Sequence, residues 1–150
     1  MDGEKLTELV REYCRQRDIQ IAAYEVYARK FGLTAKELLV LGMILYTPEN
    51  GFQSEIGKNL TMARQTVSAI IKKFVKLGYV SLKESKIDHR NKAVKLTAKG
   101  REYAEMIIPP AVRVETDAMA ELSEEDAASL IRITRIFSEE IRRNFENTGN

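Results

Sequence analysis

Residues 61–82 read TMARQTVSAIIKKFVKLGYVSL, and this stretch decides the fold. Val67, Ile70, Ile71 and Phe74 recur at three- and four-residue spacing, which predicts the apolar face of a helix running to about Leu77. Gly78 stops that helix. Arg64, Gln65, Thr66 and Ser68 fall on its polar side near the start. The period then changes. Tyr79, Val80 and Leu82, and later Val94 and Leu96, sit in short segments of near-alternating polarity around a charged stretch from Lys83 to Lys92. That pattern predicts a two-stranded hairpin with a charged tip. Upstream, Ser54 can cap a short helix over 55–60 with Ile56 and Leu60 inward, followed by a tight connection at Thr61-Met62-Ala63. A short helix, a tight turn, a second helix and a charged hairpin form the order of a winged helix-turn-helix.

The flanks read as helices. Over residues 4–31 a stripe of Leu6, Leu9, Val10, Tyr13 and Cys14 continues through Ile21, Tyr24, Tyr27, Ala28 and Phe31, with a change of face near Asp18–Gln20. Gly32 ends it. Thr34-Ala35-Lys36-Glu37 reads as a capping box, and the helix after it carries Leu38, Leu41, Ile44 and Leu45 until Pro48. Asn50-Gly51 is a turn. Helical pattern returns after Thr97, and Pro109-Pro110 is expected to interrupt or kink it, because proline lacks a donor and clashes with the preceding turn. Ser123 with Glu124, Glu125 and Asp126 opens a last helix. Leu130, Ile133, Phe137 and Ile141 mark one of its faces, Ile131 and Ile136 another, a pattern that predicts burial on two sides.

Composition narrows the function. A chain of 150 residues, 44% hydrophobic and 31% charged, can bury a core and departs from the profile of a disordered chain. No apolar run approaches the roughly 18–20 residues that span a membrane, and the charged start Met1-Asp2-Gly3-Glu4-Lys5 leads into no apolar segment, so a cytoplasmic protein is expected. The lone Cys14 and lone His89 supply neither an intrachain disulfide nor a structural zinc site. No nucleophile–base set stands out, so no enzyme, metal or cofactor is expected. Charge is uneven. Residues 54–101 hold twelve lysines and arginines against three acids, a balance of +9 in a chain of net charge +2, which leaves −7 for the remainder. A basic middle between acidic arms points to a polyanion partner for the middle.

Helix chemistry gives that partner a reading. Arg64 can pair with guanine, Gln65 with adenine, and Thr66 can touch the thymine methyl; Ser68 completes the set. Lys72 and Lys73 suit phosphates, and Ser54 of the preceding helix stands near the same backbone. The hairpin adds Lys83, Lys86, Asp88, His89, Arg90 and Lys92.

The ordered set Gly78-Tyr79-Val80, Asp88-His89-Arg90 and Leu96-Thr97-Ala98-Lys99-Gly100, with Leu33-Thr34 and Thr66-Val67-Ser68, resembles the MarR family of bacterial transcription regulators. The motifs span about residues 30–105. The resemblance implies a mainly α fold: a winged helix-turn-helix over 33–101 with a two-stranded β wing, and N- and C-terminal helices (1–32 and 102–150) forming a dimerisation region. It implies a homodimer on a pseudo-palindromic operator in double-stranded DNA, acting as a repressor. By the same resemblance Asp88 orients Arg90, which enters the minor groove, where a narrow A·T-rich stretch concentrates negative potential. Gly57, where the family more often has alanine, Lys83, where arginine is common, and Pro109-Pro110 depart from the pattern.

The resemblance also implies an effector. Tyr13, Tyr24, Tyr27 and Phe31 are candidates to line a pocket for a small aromatic ligand, and they equally fit core or dimer contacts. Cys14, with Arg11, Arg15 and Arg17 nearby, suits either a thiol-based redox sensor or a small buried hydrophobe. A winged-helix module that binds protein instead of DNA is the remaining alternative.

Overall fold

The structure is a computed structural model and describes residues 2–47, 51–84 and 91–148. The described residues form α1 (Gly3–Arg29), α2 (Ala35–Tyr46), α3 (Gln53–Asn59), α4 (Arg64–Lys76), β1 (Val80–Glu84), β2 (Lys92–Leu96), α5 (Ala98–Ala120) and α6 (Glu124–Asn147). Pro48, Asn50 and the hairpin tip, including Lys86, Asp88, His89 and Arg90, lie outside them. The chain divides into two compact units, Met1–Ile108 and Pro109–Asn150.

In the first unit, the helix boundaries follow local chemistry. Asp2 caps α1 through the Lys5 amide. The helix is unbroken through Asp18–Gln20, and Gly32 leaves it at φ 72°, a left-handed conformation that glycine adopts without a Cβ penalty. The Thr34 hydroxyl accepts the Glu37 amide at 3.2 Å while the Glu37 carboxylate accepts the Thr34 amide at 3.0 Å, closing the expected box. Ser54 does not cap α3. The cap position is Phe52, whose amide donates to the Glu55 carboxylate, and Ser54 already lies within the first turn. Gly78, at φ 77°, ends the α4 segment as expected.

The core gathers α2, α3, α4, the hairpin and the start of α5. Val67, Ile70, Ile71 and Phe74 are all buried, against Leu41 and Ile56 among others. Full burial is worth roughly 2 kcal/mol for each such side chain, which sets the rotation of α4 about its own axis. The strands are antiparallel, pairing Val80 with Leu96 and Leu82 with Val94. Phe52 adds an isolated bridge to Ala93 on the other edge of β2. At the hairpin root, the Thr97 hydroxyl donates to the Gly78 carbonyl at 2.6 Å and accepts the Gly100 amide at 3.0 Å. Gly100 is packed so tightly that a Cβ there would lie 1.8 Å from the Tyr79 carbonyl oxygen. The Leu-Thr-Ala-Lys-Gly run is therefore a physical joint between β2 and α5.

Only the last turns of α1 enter this core. Ala28 is buried, and Tyr24, Tyr27 and Phe31 pack on it, whereas Leu6, Leu9, Val10, Ile19, Ile21 and Val26 are exposed.

The second unit holds the rest of α5 and α6. Contrary to the expected interruption, α5 is helical through Pro109 and Pro110. The carbonyls that lose their intrahelical donors, those of Glu105 and Met106, belong to exposed residues, so the loss leaves no buried orphan. Ser123 caps α6 through the Asp126 amide at 3.1 Å. The expected burial of α6 on two sides is not found among the described residues. The helix has no buried residue, and Leu130, Ile131, Ile133, Ile136 and Ile141 are exposed.

Candidate nucleic-acid interface

The buried back of α4 dictates what its opposite face presents. At about 100° per residue, Gln65, Ser68, Ala69 and Lys72 form an outward stripe, with Arg64 on one edge. These residues line a cleft closed on its other sides by Gln53, Leu82 and Lys92. Arg64 and Gln65 are exposed, and Ser68 is half-buried. The expected readers Arg64, Gln65 and Ser68 and the expected phosphate ligand Lys72 thus share one surface with Lys92 of the wing.

Other expected residues are placed elsewhere. Thr66 falls on the opposite edge of α4 from Arg64, seven residues before Lys73 and on the same flank. Lys83 and Lys92 occupy opposite faces of the hairpin, because Lys83 pairs with Ala93 while Lys92 pairs with Glu84. Ser54 is exposed, and its amide donates to the Asn91 side chain at 3.5 Å. A second groove runs from Gln53 and Ser54 through Lys58 to the α3–α4 turn and Arg64, with Asn91 at its rim. Gln53 and Asn91 were not legible as site residues in the sequence. Both become neighbours of the stripe only through the register that brings β2 back beside α3.

Lys73, expected to suit phosphates, is engaged within the chain. Its Nζ donates to Glu37 Oε1 at 2.7 Å, and Glu37 is a buried residue of the α2 capping box. The α2 N-terminus is further held by Glu25 of α1, which accepts the Ala35 amide at 3.3 Å. Beside Glu37, the Tyr103 hydroxyl donates to the Phe31 carbonyl at 2.6 Å, and the Tyr103 ring stacks on Tyr79 with centroids 4.3 Å apart. Burial, with Tyr79 and Glu37 nearby, raises the Tyr103 hydroxyl above the usual tyrosine range.

Among the candidate effector residues, Tyr27 donates its hydroxyl to the Ile107 carbonyl at 2.7 Å, and burial raises its pKa. Tyr24 packs beside it on the core, and Tyr13 lies three turns away along α1. Cys14 is half-buried on α1 in a shallow groove lined by Arg11, Arg15, Asp18, Ile19 and Ala22. Among the described residues, no group of histidine, cysteine, aspartate or glutamate is arranged to hold a metal ion. No helix there is long and apolar enough to cross a membrane.

Comparison with known proteins agrees with this fold. A family model described as transcriptional regulator SarA/Rot matches residues 22–107. No curated protein sequence matches the chain. Several solved structures share the fold. AbsC, a MarR family transcriptional regulator from Streptomyces coelicolor, is 18% identical with a TM-score of 0.79, over 95% of this chain and 97% of its own. A second MarR family regulator from Streptomyces coelicolor, solved in complex with DNA, is 22% identical with a TM-score of 0.80, over 93% of this chain and 89% of its own. The S. aureus MepR–DNA complex gives 19% identity and a TM-score of 0.67, over 93% and 98%.

Proposed function

The chain belongs to the SarA/Rot family of transcriptional regulators, and from that premise we propose that it is a homodimeric repressor that binds a pseudo-palindromic DNA site through α4 and the wing. One observation carries the reading. The outward stripe of Arg64, Gln65, Ser68 and Lys72 is held rigidly by the buried back of α4 and shares a cleft with Lys92. A helix presented in this way offers base-reading groups at its start and a phosphate ligand two turns on. The region around it carries the +9 balance that a polyanion neutralises. Arg90 at the wing tip would reach the minor groove, with Asp88 orienting it. Lys83, Lys86 and His89 would contact the backbone beside it.

Dimer formation is supported by apolar area that the chain leaves open. Leu6, Leu9 and Val10 on α1 are exposed, as are Ile131 and Ile133 on α6, where Phe145 is 77% exposed. Exposed apolar side chains recurring along a helix, as on each of these two, mark an interaction site. The proposed division assigns 33–101 to DNA and 1–32 with 102–150 to the partner copy. A cytoplasmic location and modulation by a small effector belong to the same proposal. The test is fluorescence anisotropy on a random-sequence duplex and on the tightest duplex recovered from a randomised pool. Gln65→Ala and Arg64→Ala should each cost about 1–3 kcal/mol on the selected duplex and relax preference at one position per half-site. Unchanged base preference in both variants would refute this docking.

A further inference from the structure

Lys73 lies one residue beyond Lys72 in the most basic part of the chain, and sequence alone groups the two as phosphate ligands. The structure separates them. Lys72 belongs to the outward stripe, whereas Lys73 is turned about 100° away and bonded to Glu37 Oε1 at 2.7 Å. The Glu37 side chain is 10% exposed and that of Lys73 44%. The other oxygen of the same carboxylate holds the Thr34 amide at the start of α2. One carboxylate therefore ties the N-terminal turn of α2 to the last turn of α4, 36 residues apart in the chain.

We infer that Lys73 is a positioning residue, which fixes α4 against α2 through Glu37 and so sets the angle at which the Arg64–Lys72 stripe meets DNA. The inference rests on the DNA-binding reading and deepens it. An ion pair exposed at its lysine end adds little stability by Coulomb attraction alone. Its consequence is geometric. Without Lys73, Glu37 keeps a desolvated charge with one oxygen unpaired, and the last turn of α4 loses its polar tie to α2. Base readout needs side chains placed to a fraction of an ångström, while phosphate attraction tolerates a tilt, so the loss should fall on sequence preference.

The experiment measures affinity against salt for a random-sequence duplex and for the tightest duplex recovered from a randomised pool. Lys72→Met should make the salt slope shallower by about one unit per subunit on both duplexes. Lys73→Met should leave the slope unchanged and lower the preference for the selected duplex roughly three- to thirtyfold. Lys73→Arg, which keeps a donor for Glu37, should retain the preference. The double variant Glu37→Gln with Lys73→Met guards against misfolding, since glutamine still accepts the Thr34 amide and no charge is left buried. It should fold, keep the slope and lose the preference. A shallower slope in Lys73→Met, matching that of Lys72→Met, would make Lys73 a phosphate ligand and overturn the inference. So would full preference in the folded double variant. Absence of salt-dependent binding by the wild type would instead overturn the DNA reading, and the inference with it.

Discussion

Replacing Gly100 by alanine puts a methyl group where the hairpin root already stands. A Cβ at Gly100 would lie 1.8 Å from the Tyr79 carbonyl oxygen, 2.6 Å from its carbonyl carbon and 2.8 Å from its Cα. All three are backbone atoms, so no side-chain rotation relieves the clash. Overpacking costs about 1–3 kcal/mol, and this site belongs at the upper end. The Tyr79 oxygen accepts the Thr97 amide at 3.0 Å, so moving it also weakens a hydrogen bond worth about 1 kcal/mol. Alanine returns about 1 kcal/mol of helix propensity. The net expectation is a loss of about 3 kcal/mol, or roughly 10 °C in Tm. Gly57 provides the control. A Cβ there would meet Val67 Cγ2 at 3.5 Å and the Met62 carbonyl oxygen at 3.6 Å, ordinary contacts. Gly57→Ala should therefore stabilise by up to about 1 kcal/mol. Urea unfolding followed by far-ultraviolet circular dichroism, at one fixed protomer concentration, reads both. If Gly100→Ala matches the wild type, the close approach of Tyr79 to α5 is wrong.

Light scattering should give twice 17.1 kDa at micromolar concentration, and Ile133→Glu should lower that mass; a wild-type monomer would contradict the dimer. Tyr27 and Tyr103 have pKa values raised by burial, so the stability they contribute is present below the unfolded value near 10 and is lost as pH rises through the folded values. Unfolding free energy should then fall above about pH 10, and the paired Tyr27→Phe and Tyr103→Phe variant should flatten that decline. Cys14→Ser, at a half-buried position outside the α4 stripe, should leave DNA affinity within about twofold, and mild peroxide should leave binding by both proteins unchanged. A peroxide response present only in the wild type would make Cys14 a redox sensor.

Much of the fold was legible because it rests on local rules. The apolar period of α4, the Thr34–Glu37 box, the acidic start of α6 at Ser123–Asp126 and the glycine stops at 32 and 78 each involve residues within a few positions of one another. What escaped depends on distant parts of the chain. The bond from Lys73 to Glu37 was not legible because the two are 36 residues apart. Ser54 looked like a cap because nothing local shows that the chain enters α3 two residues earlier, where Phe52 bridges to Ala93. Lys83 and Lys92 looked equivalent until strand register placed them on opposite faces. Pro109 and Pro110 read as an interruption, whereas exposure of Glu105 and Met106 lets the helix continue. The two apolar faces of α6 predicted burial, whereas among the described residues α6 has no buried residue and only Ala127, Ser129 and Phe137 are partly covered.

The most direct test of the account is the salt dependence of binding to a random-sequence duplex. Lys72 and Lys92, joined by the other basic residues of the wing, give a dimer about six to ten phosphate contacts, for which the logarithm of the binding constant should fall with the logarithm of salt at a slope of about −5 to −9. A slope in that range, made shallower by about two units in Lys72→Met, is the predicted result. A slope near zero, or one that Lys72→Met leaves untouched, would show that the α4 stripe does not face DNA.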